Sequence, residues 1–362
     1  MTLPTQMHAV ELIGHGGLEQ LVYRPDRALP TLGHDQVLIQ VSACGVNNTD
    51  INTRIGWYSK SVTAATDSAG DALENPDDAT WSGTSLTFPR IQGADVCGRV
   101  VAVGKDVDSR RIGQRVLART MMADPNGVPN LCWTMGSECD GGFAQFTAVR
   151  SSEVYAVNSE WSDAELASIP CAYSTAENML ERAGLGAERV LITGASGGVG
   201  SAAVQLAKRR GATVTAVAAA SKHDDLLALG ADAVLDRAAG YGTLAASSFD
   251  LVVDVVGGND WPRLLDCLRV AGRYITAGAI AGPVVELDLR TLYLKDLTLM
   301  GATFQPPAVF ENLIGYIERN EIKPLVAKTY PLADIHQAQT DFMAKAFTGK
   351  LVLIPPKVDL NV

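Results

Sequence analysis

The sequence predicts an α/β fold in which a doubly wound parallel sheet is joined to a β-rich N-terminal part. Three observations carry this expectation. From Trp161 onward, short apolar strands alternate with helical stretches. One of those strands, Arg189–Thr193, runs straight into a glycine-rich turn and then a helix. Ahead of Trp161, residues alternate between apolar and polar as a half-buried strand requires.

In the first part, His34–Val46 sets Val37, Ile39 and Val41 on one face, with Gln36 and Gln40 among their neighbours. Gly98–Val103 and Arg115–Ala118 read as further strands, separated by the turn residues Gly104, Lys105 and Asp106. Residues 59–88 are rich in Ser, Thr, Asp, Ala and Gly, with few hydrophobes besides Trp81, Leu86 and Phe88. They read as a long surface loop, either a lid over a binding site or an insertion with no chemical role.

The second part reads element by element. Asp163–Arg182 is helical with a break near Pro170, and Arg189–Thr193 is a strand. Gly198–Arg210 is a helix with Val199, Ala202, Ala203, Leu206 and Ala207 facing inward. Ala212–Val217 is a strand, Lys222–Leu229 a helix closed by Gly230, and Ala233–Leu235 and Leu251–Val255 are strands. Trp261–Val270 is a helix, and Arg273–Ala277 and Leu297–Thr303 are strands. This alternation implies a parallel sheet covered on both faces. In the tail, Val309–Arg319 and Leu332–Ala346 are helices and Lys350–Ile354 is a strand.

A chain of 362 residues fits about two domains. With 47% hydrophobic and 19% charged residues it has the composition of a folded protein. Its net charge of −10 disfavours a phosphate backbone, so no nucleic-acid partner is expected. No basic, then apolar, secretory pattern opens the chain, and no run approaches the ~20 apolar residues of a membrane span. A cytoplasmic protein with no membrane partner is the expectation. The six cysteines are scattered, without a CxxC pair, as suits reduced thiols.

The turn Gly194-Ala-Ser-Gly197-Gly198-Val-Gly200 has the order that a dinucleotide site demands. Gly197 lets the backbone approach a pyrophosphate. Gly200 lets the helix pack on the strand, and the helix start offers unpaired amides and a positive dipole end. Ala195 stands where the fingerprint has its first glycine. Ala195, Ser196, Gly197, Gly198 and Val199 are therefore the expected phosphate contacts. The next strand ends in Val217-Ala-Ala-Ala-Ser221-Lys222-His223, without the acid that holds a ribose 2′-hydroxyl. Ser221, Lys222 and Arg237 can receive a 2′-phosphate, so NADPH is expected over NADH; otherwise Lys222 simply begins a solvated helix. Ligands in open α/β sheets collect at the strand carboxyl ends. Val256 and Gly257, Ala277, Gly278 and Ala279, and Thr303 are thus expected near the nicotinamide carboxamide. Tyr173 and Thr175 are expected beside them.

With this turn in place, the chain resembles the medium-chain dehydrogenase/reductase superfamily, most of all its quinone oxidoreductase branch. The resemblance rests on Ala43-Cys-Gly-Val-Asn-Asn-Thr-Asp50, Gly93-Ala-Asp-Val-Cys-Gly-Arg-Val-Val-Ala-Val-Gly104, Asp140-Gly-Gly-Phe-Ala-Gln145, the glycine turn, Leu229-Gly-Ala-Asp232 and Gly349-Lys-Leu-Val-Leu353. It implies a GroES-like β-barrel catalytic domain over 1–160, completed by 308–362, and a Rossmann domain over 161–307. It also implies a cleft between them, a cofactor contact from Lys350, and a homodimer or homotetramer paired near Thr298–Thr303.

Zinc alcohol dehydrogenases of this superfamily carry a Cys, a His-Glu pair and a second Cys as the ligand set. Here those positions hold Asn47, Ala94 with Asp95, and Cys171. One thiol and one carboxylate do not make a good zinc site, so no metal is expected. Without a metal, an acceptor activated by conjugation is the easier substrate: a quinone, an enone or an enoyl thioester. Tyr58 matches the proton-donating tyrosine of enoyl-thioester reductases that this chain resembles; otherwise it is an aromatic at the core edge. Asn47 can supply an amide N–H and Asp50 can orient either side chain. Two other functions stay open, a metal-independent aldehyde or ketone reductase (or alcohol dehydrogenase) and an NADPH-binding protein with little turnover.

Overall fold

The computed structural model describes residues 3–68, 76–358 and 360. Its first part holds β1 (Gln6–Leu12), β2 (Leu21–Ala28), β3 (Gln36–Gly45), α1 (Asn48–Arg54), β4 (Arg90–Ile91), β5 (Asp95–Val103), β6 (Arg115–Ala118), β7 (Met121–Ala123), β8 (Cys132–Thr134), β9 (Phe146–Arg150) and β10 (Val154–Ala156). The strand expected at 34–46 is β3, and it is the spine of this part. Along one edge it pairs with β5 from Val37 to Gly45. Along the other it pairs with β9 from Gln36 to Gln40. Val37, Ile39 and Val41 are buried as the alternation requires, but so are Leu38, Ala43 and Cys44. The strand is therefore covered on both faces through much of its length, not half-buried.

The second part holds α2 (Asp163–Leu166), α3 (Pro170–Arg182), β11 (Arg189–Ile192), α4 (Gly198–Arg209), β12 (Thr213–Ala218), α5 (His223–Ala228), β13 (Ala233–Asp236), β14 (Phe249–Asp254), α6 (Trp261–Cys267), β15 (Leu268–Thr276), α7 (Leu289–Leu294) and β16 (Thr298–Gly301). Six strands form one sheet in the order β13-β12-β11-β14-β15-β16, every pairing parallel. That is the doubly wound order of a dinucleotide-binding sheet. Its two-sided burial follows from strand period. Val190, Ile192, Leu251 and Val253 pack into one core with α3 and α4, whereas Leu191 and Val252 pack into another with Trp261, Leu264 and Leu265 of α6.

The tail continues with α8 (Pro307–Glu318), β17 (Val326–Pro331), α9 (Ile335–Ala344) and β18 (Lys350–Ile354). Helix α8 lies against α3, and its Phe310 meets Tyr155 of β10 at 5.2 Å between ring centroids. The return to the first part comes with β18, which pairs antiparallel with Cys44 and Gly45 of β3 and parallel with β17.

Several elements differ from expectation. The helix begun at Trp261 stops at Cys267, because Leu268 is already paired with Phe249 in the sheet. Helix α7 has no buried residue, so its apolar side chains carry no amphipathic pattern. Strand β17 is a mostly exposed edge strand ending in proline, which gives little apolar alternation to read.

Candidate active site

The glycine turn links β11 to α4. Gly194 adopts φ 57°, and a Cβ on Gly200 would stand 2.6 Å from the Ala195 Cα, so the helix can seat on the strand only with glycine there. The first intrahelical bond runs from the Ser201 amide to the Gly197 carbonyl, 2.9 Å. The amides ahead of it, from Gly198 to Gly200, are those that a helix start leaves for an anion. Gly197 is exposed, and nothing stands nearer than 3.4 Å to where its Cβ would lie. Ser196 and Val199 flank this face, half-buried. Ala195 departs from expectation: it is fully buried and its amide donates to the Val217 carbonyl, so it supports the turn from beneath.

Beyond β12, Ser221 is exposed and the Lys222 ammonium donates to the Ala346 carbonyl at 2.7 Å, turned toward the tail. Arg237 is exposed after β13. The acids that follow Lys222 in the chain, Asp224 and Asp225, open α5, and Asp225 accepts the Thr348 hydroxyl at 2.6 Å.

The strand ends show a residue that sequence reasoning missed. Asp254, fully buried at the end of β14, accepts from the Thr193 hydroxyl (2.5 Å), the Tyr274 hydroxyl (2.6 Å), the Val256 amide (2.9 Å) and the Gly257 amide (3.2 Å). Its signal was a lone acid closing the apolar run Leu251–Val253. The Val256 and Gly257 amides thus point inward, and the Val256 carbonyl takes the Ala281 amide at 2.8 Å. The expectation that these groups reach the carboxamide is corrected: a buried carboxylate without a cation draws the nearest donors. Ala277, Gly278 and Ala279 are half-buried directly after β15, and Thr303 is exposed after β16. On α3, Thr175 lies one turn from Cys171 and is half-buried. Tyr173 falls on the opposite side of the helix, fully buried, where its hydroxyl donates to the Lys323 carbonyl at 2.5 Å. It is a core residue and does not line the cleft.

The expected catalytic residues converge at the start of α1. Asn47 caps this helix, and its own amide donates to Asp50 Oδ2 at 2.8 Å. The Asn47 side chain donates to Asp95 Oδ2 at 2.8 Å and accepts from Lys350 Nζ. Lys350 Nζ lies 2.8 Å from Asp95 Oδ2, with the two side chains 3% and 0% exposed. Asp95 Oδ1 takes the Cys171 amide at 2.5 Å. Asn47 and Lys350 are therefore committed to this buried network, Lys350 having been expected on the cofactor. Its stem still borders the glycine turn, since a Cβ on Gly198 would stand 3.0 Å from Lys350 Cδ.

Asp50 is buried, and its other oxygen accepts the Gly93 amide at 3.2 Å. Burial pushes its carboxyl up from 3.8 to about 7, against the opposing pull of the Asn47 amide and the Lys350 charge. Tyr58 leans on Trp81 with ring centroids 4.6 Å apart, and burial raises its phenol well above the ordinary value, so it is held protonated. Nearby Thr49 and Asn52 side chains favour the phenolate only in part, and the Cys171 and Asp50 charges oppose it. Trp81 in turn donates to the Thr49 hydroxyl at 2.9 Å. The described parts of the 59–88 loop contain no helix or longer strand, as expected. They are not merely superficial: Thr66, Ala79, Thr80 and Leu86 are buried. The Thr66 amide also donates to the Ile280 carbonyl at 3.0 Å, which ties the loop to the segment after β15.

A zinc ion does not fit these residues. Both Asp95 oxygens are taken and Asn47 presents its oxygen to an ammonium, which leaves one thiol as the remaining ligand. Among the described residues no group of three His, Cys, Asp or Glu side chains is placed to hold a metal.

Fold and site together define a two-part nucleotide-binding oxidoreductase. An alcohol dehydrogenase GroES-like domain model matches residues 33–159, and a zinc-binding dehydrogenase model matches 198–319. A crystal structure from Sinorhizobium meliloti 1021, provisionally named an alcohol dehydrogenase, shares 46% identity with a TM-score of 0.86, covering 98% of each chain. The chloroplastic quinone-oxidoreductase homolog of Spinacia oleracea is 27% identical over 96% of this chain and 98% of its own length. Acryloyl-coenzyme A reductase of Metallosphaera sedula is 28% identical over 74% of this chain and 84% of its own. The chain belongs to the medium-chain dehydrogenase/reductase superfamily, in its quinone oxidoreductase-like branch.

The raised Asp50 carboxyl has a stability consequence. The folded chain holds this proton more tightly than the unfolded one, so the contribution is full below about pH 4 and is lost as pH rises through about 7. Over that window the wild type is expected to lose up to about 1.4 kcal/mol per pH unit from this group. Urea unfolding of Asp50→Asn between about pH 4 and about pH 8 should show that slope removed; parallel curves for the two proteins would refute the assignment.

Proposed function

We propose that this oxidoreductase uses NADPH to reduce an activated double bond or a quinone without zinc, with Tyr58 as proton donor. The observation that carries this is the pairing of a site whose metal-ligand positions hold Asn47, Ala94 with Asp95, and Cys171, with Lys350 bonded to Asn47 and Asp95, and a half-buried phenol a few residues beyond α1. The bound dinucleotide supplies a hydride. The chain then has to hold the acceptor and give a proton to the enolate or hydroquinone oxygen, or to the adjacent carbon. A phenol can do this, and conjugation makes a Lewis acid unnecessary. The names of the spinach and Metallosphaera relatives, a quinone reductase and an acryloyl thioester reductase, support the same acceptor class. Ser196 to Val199, Thr175, Ala277 to Ala279, Thr303 and the stem of Lys350 border the cofactor in this reading.

A second reading has one specific support. The relative with 46% identity carries an alcohol dehydrogenase name. NADPH oxidation with a naphthoquinone, an enone, an enoyl thioester and a simple aldehyde separates the two, since turnover of the aldehyde alone sinks the first. Tyr58→Phe should lower kcat on the enone or thioester by roughly 10²-fold with little change in KM for NADPH. An unaffected kcat would remove Tyr58 from the chemistry.

The choice of NADPH rests on the missing acid after β12 and on Ser221, Lys222 and Arg237 beside it. Lys222 makes one bond, to a neutral carbonyl, and a 2′-phosphate offers a stronger charge-assisted one. Lys222→Ala should raise KM for NADPH by about tenfold and leave KM for NADH nearly unchanged. Equal effects on both would overturn the preference.

A homodimer is part of this proposal. β16 is the outermost strand of the parallel sheet, and Val284, Leu289, Tyr293 and Leu294, which precede it, are each more than 60% exposed. An open strand edge beside an apolar patch suits pairing with a second copy. Leu289→Asp with Leu294→Asp should convert a dimer to a monomer in light-scattering chromatography; a dimer that persists would place the interface elsewhere.

A further inference from the structure

We infer that the Lys350 ammonium is the resident cation of this site, standing where the superfamily's metal-ligand positions converge. The inference rests on the metal-independent reading above and goes beyond it by naming what fills the place.

Three observations meet at one point. Lys350 Nζ bonds Asn47 Oδ1 and lies 2.8 Å from Asp95 Oδ2, so it touches two of the ligand positions directly. The third position, Cys171, is joined to the same carboxylate through its amide, 2.5 Å from Asp95 Oδ1. The Asn47 amide is oriented by the Lys350 charge: its oxygen faces the ammonium and its NH2 faces Asp95. The reverse orientation would set donors against an ammonium and an oxygen against a carboxylate.

The route of the side chain supports the assignment. Lys350 opens β18, and its stem passes Gly198, where a Cβ would stand 3.0 Å from Lys350 Cδ. Glycine at that position therefore serves a second need besides the phosphate turn. A single ammonium here neutralises Asp95, fixes the Asn47 amide and repels a divalent ion, with both Asp95 oxygens already committed.

Two measurements test this on the intact protein. In the wild type labelled with 15N-lysine, one ammonium resonance should be protected from solvent exchange at neutral pH and vanish in Lys350→Arg. The absence of any protected ammonium overturns the inference. The second rebuilds a ligand set with Asn47→Cys and Ala94→His, with and without Lys350→Met, and follows thiolate-to-cobalt absorption during Co(II) titration. Removing Lys350 should tighten cobalt binding by at least about tenfold. Equal affinities, or no cobalt–thiolate band without Lys350, overturn it. If these variants do not fold, the ammonium resonance decides. Metal analysis of the wild type separates the two layers. Stoichiometric zinc sinks the metal-independent reading, whereas a zinc-free protein with no protected ammonium sinks only this inference.

Discussion

The Lys350–Asp95 ion pair joins the tail strand to β5 of the first part and gathers the site residues around it. Burying both charges costs several kcal/mol per ion, and only close contact with further hydrogen bonds offsets that. Here the 2.8 Å contact, the Asn47 amide and the Cys171 amide provide them. Each partner anchors a different element. Lys350 opens the tail strand, Asp95 opens β5, Asn47 caps α1, and Cys171 lies in the first turn of α3. The tail strand pairs with β3 through Val352 and Leu353, opposite Gly45 and Cys44.

The same network couples the two parts of the molecule. The Lys350 stem lies against the glycine turn, and the Gly349 amide donates to the Ser196 carbonyl at 3.2 Å. The phosphate face of the turn and the buried cation are therefore built on one short segment. On the far side, Thr66 reaches the Ile280 carbonyl, and Trp81 holds Tyr58 over the start of α1. Tyr58 thus adjoins a loop that is fastened both to α1 and to the segment after β15.

Several elements were legible residue by residue. Arg115–Ala118 and Lys350–Ile354 are found with the expected bounds, and α3, α4, β12 and β14 lie within two residues of expectation. These elements have strong apolar periods and clear stops at glycine or proline. β17 and α7 were not legible, because an exposed edge strand and a helix without a buried face carry no such period. Among site residues, the turn Ser196–Val199 was readable because a glycine pattern between strand and helix has few other uses. Asp254 was not, since one acid in an apolar strand says nothing of the four donors that will surround it.

The sequence alone determined the parallel sheet, the nucleotide turn, the lack of a complete zinc ligand set and the candidacy of Tyr58, because each rests on local order or on residue type at a given spacing. Tertiary structure decided where the side chains went. It turned Tyr173 into the core, sent the Val256 and Gly257 amides to Asp254, and drew Lys350 inward to Asp95 and Asn47. Those outcomes depend on which charges and donors are buried together from distant parts of the chain, and spacing along the sequence does not encode that.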